Sequence, residues 1–363
     1  MAQKLPKILL VVEDWISFYN QAEGLSKGLS LLGVPHQTVR IRDVKENPSL
    51  YTDSRPDIVV GVGSWLSHEY FITIPKEKGL KVLPWIVSDD KVYDHLEAFN
   101  SVKRILTTSS YCHEVFTRDG VKVQVEILPE AVDPEVWYES HESEKKEFTK
   151  VMDIQSSFAL PPQLNMSRQR EQGVPILFTM GGDMTSKGAQ EILEALSGLK
   201  DLPWIYIMKA WPQLHTFERG LEEFALIKKL GLEERVRYMV VDFSQEFVRN
   251  LFSLSDIYVA PSRGEGFGLP FIQAALCGKP AISIDALSLK DVVVQGETGL
   301  LAKPVRREGV LQADIGELRE FLKQLITDVD LRKTLGEKAK DRALEVYHPK
   351  VIAQKLLEHI DSI

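Results

Sequence analysis

The chain has 363 residues, of which 44 are lysine or arginine and 52 are aspartate or glutamate, so its net charge is -8. This length is too great for one compact core and suits two α/β domains. Hydrophobic residues make up 44% and charged residues 26%, which excludes a disordered chain. The acidic balance argues against nucleic acid as a partner, because phosphate backbones are bound by basic surfaces.

The chain has two cysteines, Cys112 and Cys277. Two cysteines far apart in sequence form neither a disulfide framework nor a four-ligand zinc site, so we expect a reducing, cytoplasmic location. The first apolar run, Ile8 to Val12, is too short for a signal-peptide core or a membrane span and predicts a buried strand. Peripheral contact with the inner face of a membrane is left open.

Strand-like and helix-like segments alternate along the first half of the chain. After the first strand, Ala22, Leu25, Leu29 and Leu32 recur at spacings of three and four, which predicts a helix. Further strands are predicted at Val34 to Ile41, Asp57 to Val62, Lys81 to Val87, Arg104 to Thr108 and Val123 to Leu128. Alternation of this kind predicts a parallel, doubly wound sheet with helices on both faces.

The composition becomes polar and charged between residues 139 and 173, which predicts a linker region that includes a helix from Glu142 to Phe158. We therefore place a first domain at 1–165 and a second at 174–347. Strands of the second domain are predicted from Pro175 and at Trp204 to Met208, Val236 to Val241, Asp256 to Ala260 and Ala281 to Ile284. The last helix, within 348–363, is expected to cross back to the first domain.

The segment SDIYVAPSRGEGFGLPFIQAALCGKPAISID, residues 255–285, carries the most information. A strand is followed by a loop with three glycines, and Pro270 suits the first turn of a helix from Phe271 to Leu276. Glycines allow backbone N–H groups to approach a ligand, and a helix start carries unpaired N–H groups and partial positive charge. This predicts an anion site at the carboxyl end of a strand. Glu265 beside it can accept hydrogen bonds from sugar hydroxyls, so a nucleotide sugar suits both groups.

This segment resembles the donor site of the retaining GT-B glycosyltransferases of group 1 (family 4). PS, EGFGLP and QAALCGKP stand in the family's order and spacing. Three further stretches are similar to that family: ILTTSSYCHEVF, TMGGDMTSKGAQEILEAL and QGETGLLAKP. The resemblance implies two doubly wound Rossmann-like domains that face each other across a cleft.

By this resemblance, Glu265 contacts the transferred sugar and Lys187 neutralises the donor diphosphate; these two are the predicted catalytic residues. A Thr185–Ser186 cap is expected to start the helix that Lys187 opens. The remaining residues implied to bind the donor are Gly181, Gly182, Gly266, Phe267, Gly268 and Leu269.

The chain departs from the family pattern at two donor positions. Gln273 stands where the family has a second glutamate that grips the nucleotide ribose, and Gly182 stands where it has an arginine. The amide can still accept one hydrogen bond and donate another. One cation is missing, and Lys209 after the next strand is a candidate to replace it.

The acceptor side of the predicted cleft also differs, because the chain lacks the double-glycine loop after strand one and the histidine after strand four. Trp15, Trp65 and Trp85 lie at strand ends and can stack on a sugar, although core packing is expected for at least one of them. Asp89 and Asp90 either orient an acceptor hydroxyl, bind a metal, or cap a helix from Val92 to Phe99.

The resemblance implies transfer of a hexosyl group, with retention, from a nucleotide-diphosphate sugar to an acceptor hydroxyl. The acceptor is a sugar, a lipid-linked molecule or another small molecule. A front-face reaction without metal and without cofactor is expected, in which positioning and charge stabilisation do the catalysis. Two alternatives stay open: a nucleotide-sugar-binding protein with weakened catalysis, and a GT-B epimerase or phosphorylase.

Overall fold

The structure is a computed structural model that describes residues 5–88, 91–155, 166–212 and 214–362. The chain folds into two compact units. The first comprises Met1–Asp133 and Glu345–Ile363, and the second comprises Pro134–Leu344. The division after Asp133 lies ahead of the stretch 139–173 that the sequence marks as a linker.

The first unit contains a parallel six-stranded sheet in the order β2-β1-β3-β4-β5-β6. Its strands are β1 (Ile8–Val12), β2 (His36–Arg40), β3 (Ile58–Ser64), β4 (Val82–Val87), β5 (Arg104–Thr107) and β6 (Gln124–Ile127). Its helices are α1 (Ile16–Leu31), α2 (Ile41–Glu46), α3 (Leu50–Asp53), α4 (Ile74–Glu77), α5 (Leu96–Phe99), α6 (Ser110–Arg118) and, from the end of the chain, α16 (Pro349–Asp361). Short 3₁₀ turns lie at Trp65–Ser67 and Tyr93–His95, and a π-helical turn lies at Glu69–Thr73.

Alternate residues of the four central strands, β1, β3, β4 and β5, enter two separate cores, as a doubly wound sheet requires. Leu10 packs with Leu25 of α1 and Ile352 of α16 on one face, whereas Val11 packs with Phe71 and Phe116 on the other. Helices α1 and α16 pack closely, because Gly28 leaves room for the backbone of Pro349.

The second unit contains another parallel six-stranded sheet, in the order β12-β11-β10-β7-β8-β9, and an antiparallel hairpin of β13 and β14. The strands are β7 (Ile176–Gly181), β8 (Ile205–Ala210), β9 (Val236–Val240), β10 (Ile257–Val259), β11 (Ala281–Ile284), β12 (Gly299–Ala302), β13 (Pro304–Arg307) and β14 (Val310–Ala313). The helices are α7 (Glu142–Gln155), α8 (Met166–Glu171), α9 (Ala189–Ser197), α10 (Leu214–Leu230), α11 (Gln245–Leu254), α12 (Leu269–Leu276), α13 (Leu289–Val292), α14 (Ile315–Thr327) and α15 (Val329–Val346).

Helix α7 packs on α11 of the second unit. The rings of Phe148 and Phe247 meet edge to face with centroids 4.9 Å apart, and Met152 is fully buried. Lys145 donates to Glu139 at 2.8 Å, and Lys279 reaches the same carboxylate at 3.3 Å. A polar sequence thus carries a narrow apolar stripe and an ion-pair network that bind it to the second sheet.

The prediction of an α/β fold with two Rossmann-like sheets is confirmed. Two predicted strands, Ile8–Val12 and Ala281–Ile284, coincide with the observed ones, and the others differ by one or two residues at an end. The predicted helix from Val92 to Phe99 is wrong over its first half, where the chain forms the 3₁₀ turn before α5.

Candidate functional site

The candidate site lies in the second unit, where the order of its sheet changes direction. From β7 the chain proceeds to β8 and β9 on one side, and from β10 it proceeds to β11 and β12 on the other. In open α/β sheets, ligands bind beside the carboxyl ends of the strands at such a switch point. The two loops that leave this point are residues 182–188, after β7, and residues 260–268, after β10.

A backbone hydrogen bond joins the two loops, since the N–H of Arg263 donates to the carbonyl oxygen of Ser186 at 2.9 Å. The guanidinium of Arg263 adds a second connection: it donates to both carboxylate oxygens of Glu191 at 3.0 and 2.8 Å. Glu191 lies in the first turn of α9, so this bidentate pair holds the start of α9 against the second loop. The sequence offered no signal for this pairing.

Lys187 and Glu265, 78 residues apart in sequence, form the charged centre of the site. The distance from Lys187 Nζ to Glu265 Oε2 is 2.7 Å, and each side chain is 15% exposed. The hydroxyl of Ser262 also donates to Glu265 Oε2, at 3.3 Å. Ser288 fixes the backbone of the same residue by donating to the Glu265 carbonyl oxygen at 2.9 Å. The carboxylate is therefore held in place and still reaches solvent.

Two glycines give Lys187 its position. A Cβ on Gly181 would lie 2.5 Å from Lys187 Cγ, so the stem of the lysine packs against the end of β7. Gly188 follows with a left-handed φ of +74°, and it is the N-cap of α9. The expected Thr185–Ser186 cap is therefore wrong: Lys187 lies in the turn before α9, because the left-handed residue at 188 ends the turn there.

The loop before α12 supplies the glycine-bearing turn that the sequence predicts. Gly268 is the N-cap of α12 with a φ of +108°, and Pro270 stands in the first turn. Gly266, Phe267 and Gly268 are buried, whereas Leu269 is half-buried. The start of α12 carries partial positive charge beside Glu265, as an anion site requires.

The turn that contains Lys187 is supported by polar residues that the sequence did not identify. Asp183 accepts hydrogen bonds from the Ser186 N–H at 2.8 Å and from Arg219 at 3.1 Å. Burial raises the pKa of Asp183, but these bonds outweigh it and hold that pKa below its ordinary value. The spacing of Asp183 and Ser186, which favours a local side-chain turn, was the available signal.

Thr185 donates to a buried carboxyl group, Glu223 Oε1, at 3.0 Å. Burial, reinforced by the charges of Asp183 and Glu222, raises the pKa of Glu223 to about 7. The floor of the turn is therefore a carboxyl group that titrates near neutral pH.

Gly182 and Gln273, which depart from the family pattern, and Lys209, the candidate replacement cation, differ in exposure and contacts. Gly182 is exposed, and no atom lies within 4 Å of a Cβ built on it. Gln273 is 4% exposed, and its Oε1 has no hydrogen-bond partner among the described residues. Lys209 is fully buried in β8, and its ammonium lies 3.3 Å from the centroid of the Trp211 ring.

The residues predicted for the acceptor side belong to the first unit. Trp15 is 60% exposed immediately before α1, whereas Trp65 is half-buried with its ring 5.3 Å from that of His95. Trp85 is fully buried and donates from Nε1 to the carbonyl oxygen of Leu128 at 2.8 Å, so it is the tryptophan that packs in the core. Asp89 and Asp90 lie outside the described residues.

Comparison with known sequences finds a family match for most of the second unit. Residues 165–342 match the family model described as glycosyl transferases group 1. The chain is 30% identical over 130 residues to N-acetyl-alpha-D-glucosaminyl L-malate synthase of Bacillus anthracis, which covers 36% of this chain and 31% of that protein. It is 27% identical over 244 residues to D-inositol 3-phosphate glycosyltransferase of Corynebacterium urealyticum, which covers 64% of this chain and 55% of that protein. The matches thus span about a third to about a half of these relatives.

Solved structures share the fold along nearly the full length of the chain. The crystal structure of Anabaena HepE in complex with UDP and glucose matches with a TM-score of 0.76 at 14% identity, over 99% of this chain and 100% of that one. Sucrose-phosphate synthase of Thermosynechococcus elongatus matches with a TM-score of 0.73 at 16% identity, over 99% of both chains. The chain therefore has the GT-B fold, and residues 165–342 match the glycosyl transferases group 1 family.

None of the helices in the described ranges combines the length and the apolar character that a membrane span needs.

Proposed function

We propose that the protein is a glycosyltransferase that moves a hexosyl group from a nucleotide-diphosphate sugar to an acceptor hydroxyl, with retention at the anomeric carbon. The observation that carries this proposal is the contact of Lys187 with Glu265 at the switch point of the second sheet, beside the start of α12. A cation and a helix start suit a diphosphate, and the carboxylate suits sugar hydroxyls.

The contact between Lys187 and Glu265 is compatible with a bound donor. An ammonium group has three N–H donors, so Lys187 can keep its bond to Glu265 and still donate to a phosphate oxygen. In this way one lysine links the sugar-binding carboxylate to the leaving diphosphate. The charge that develops on the leaving phosphate then meets a cation already in place, which lowers the barrier without reorganisation.

The proposed reaction proceeds on one face of the sugar. The bond from the anomeric carbon to the phosphate oxygen breaks, and the acceptor oxygen bonds to the same face of that carbon. The acceptor proton passes to the departing phosphate oxygen, so the products are the glycoside and the nucleoside diphosphate. The chain's own groups position the reactants and stabilise charge; metal and cofactor have no part in the proposal.

The relatives support a nucleotide-sugar donor. The HepE crystal structures contain UDP with glucose and UDP-glucose. The curated relatives are named for transfer to malate and to inositol 3-phosphate, two different acceptors. We therefore propose the donor class and leave the acceptor as a sugar, a lipid-linked molecule or another small molecule.

A second candidate, a binding protein with weakened catalysis, is favoured by Gly182 and Gln273. Neither residue supplies the charge that the family pattern has at its position, and both lie in the second unit. Such a protein would bind a nucleotide sugar and release no nucleoside diphosphate with any acceptor.

The test is transfer from UDP-, GDP- and ADP-sugars to a panel of acceptors, in the presence of a chelator. We expect nucleoside diphosphate to be released only with an acceptor. Lys187→Ala and Glu265→Ala should each lower kcat by about 10²- to 10³-fold, the usual effect of removing one charge-stabilising group. Lys228→Ala and Glu233→Ala, at exposed positions of the same unit, are the matched controls. Full turnover by both site variants would refute the assignment.

A further inference from the structure

Lys209 is a fully buried lysine whose Nζ has no hydrogen-bond partner in the described part of the chain. Burial lowers the pKa of this lysine to about 8, and the charge of Asp242 acts in the opposite direction. The side chain is therefore mostly charged at neutral pH. A buried cation without a hydrogen-bonding anion is unfavourable, and proteins keep one chiefly where it has a task.

The ammonium of Lys209 lies at the carboxyl edge of the second sheet. Lys209 is the second-to-last residue of β8, and Trp211 is the first residue beyond that strand. Because Nζ lies 3.3 Å from the centroid of the Trp211 ring, the side chain extends toward the strand's end. The indole compensates part of the charge, and the N–H donors of the ammonium have no hydrogen-bond partner among the described residues.

The position of β8 relates Lys209 to the candidate site. Strand β7 lies between β10 and β8, with Met180 paired to Lys209 and Gly181 paired to Ala210. Three neighbouring strands, β10, β7 and β8, thus place charged residues at the same edge of the sheet. Glu265 follows β10, Lys187 follows β7, and Lys209 lies near the end of β8. Two strand spacings, about 10 Å, separate the outer two strands.

Gly182 at the end of β7 has no side chain, and nothing lies within 4 Å of a Cβ built there. The family pattern has two cations in this loop, an arginine at the position of Gly182 and the lysine at 187. The loop of this chain therefore supplies only the lysine. Lys209 is the buried cation on the neighbouring strand, on the side of β7 away from Glu265.

We propose that Lys209, seated on Trp211, binds the phosphate nearer the nucleoside in the donor's diphosphate. This inference rests on the proposed function, since it assigns the direction of a nucleotide sugar across that same site. The sugar lies by Glu265, the outer phosphate by Lys187, and the inner phosphate with its nucleoside by Lys209 and Trp211.

The test is calorimetric titration with UDP, GDP and ADP, followed by the monophosphate and the nucleoside of whichever diphosphate binds most tightly. Lys209→Met should weaken both the diphosphate and the monophosphate by between about tenfold and a hundredfold and leave the nucleoside unchanged. Lys187→Met should weaken the diphosphate more than the monophosphate. Lys209→Arg, which keeps the charge, should retain most of the affinity, and Lys228→Met is the control on the surface of the same unit.

The outcomes separate this inference from the proposed function. If the wild-type protein binds a diphosphate and Lys209→Met binds it equally well, the role of Lys209 is refuted and the donor site stands. If Lys209→Met weakens the diphosphate but not the monophosphate, the proposed direction of the ligand is wrong. If the wild-type protein binds none of the three diphosphates, both this inference and the proposed function fail.

Discussion

Gly188 is the residue whose substitution tests the packing of the candidate site most sharply. Its φ of +74° lies in the left-handed region, and it joins the Lys187 turn to α9. A Cβ at this position would lie 2.5 Å from the carbonyl oxygen of Pro261 and 2.7 Å from that residue's Cγ. Because Pro261 belongs to the second loop of the site, Gly188→Ala should force the two loops apart.

The expected loss of stability has two parts. A left-handed conformation costs a non-glycine residue about 1–2 kcal/mol. Forced overpacking against backbone adds about 1–3 kcal/mol, so Gly188→Ala should lower the free energy of unfolding of the second unit by about 2–5 kcal/mol. Gly296→Ala is the matched control: its φ is +73°, and no atom lies within 4 Å of its Cβ position. That variant should lose only the first part.

The assay is urea unfolding of both variants, followed by intrinsic tryptophan fluorescence. Three of the six tryptophans, Trp137, Trp204 and Trp211, belong to the second unit. The difference between the two variants isolates the contact with Pro261, because the backbone term is common to both. Equal losses of unfolding free energy would refute the reasoning, since they would show that the loops tolerate a methyl group between them.

Two further predictions concern buried charges. Glu223 has a pKa of about 7 in the folded protein against an ordinary 4.5, so between these pH values the folded state retains a proton that the unfolded chain releases. The free energy of unfolding should therefore fall by about 3 kcal/mol as pH rises from about 4.5 to above 7. Glu223→Gln should remove this fall, as urea midpoints at pH 5 and pH 8 would show; an unaltered pH dependence would contradict the buried position of the charge. Lys209 has a pKa of about 8 against an ordinary 10.5, so wild-type stability should rise between about pH 8 and 10.5. Lys209→Met should be more stable than wild type at pH 7 by up to about 3 kcal/mol in thermal unfolding, and a less stable variant would show that the ammonium is well compensated.

Two strands that form continuous buried runs were predicted with the correct bounds. Ile8–Val12 and Ala281–Ile284 are buried on both faces, and their predicted and observed bounds are identical. Three strands were not predicted. One is the short buried run of β12, Gly299–Ala302. The others are β13 and β14, Pro304–Arg307 and Val310–Ala313, where exposed polar residues interrupt the apolar pattern of the hairpin. The polar stretch 139–173 contains α7, whose attachment to the second sheet depends on a few apolar and charged side chains that composition averages away.

The candidate site was predictable where it depends on local chain geometry. The glycine turn before α12 and the position of Pro270 follow from residue types alone. The hydrogen bonds of Arg263 with Glu191, 72 residues apart, and of Thr185 with Glu223 depend on how the strands are ordered in space. The same is true of Lys209, whose burial beside Trp211 follows from the neighbours of β8 and not from its own sequence.

The central claim is that the turn before α12 and the turn at Lys187 hold a sugar diphosphate beside Glu265. The most direct test is a crystal structure with the nucleoside-diphosphate sugar that binds most tightly. The account predicts a diphosphate oxygen within hydrogen-bond distance of Lys187 Nζ and a sugar hydroxyl on the carboxylate of Glu265. A nucleotide sugar bound elsewhere, with both side chains still paired only to each other, would contradict it.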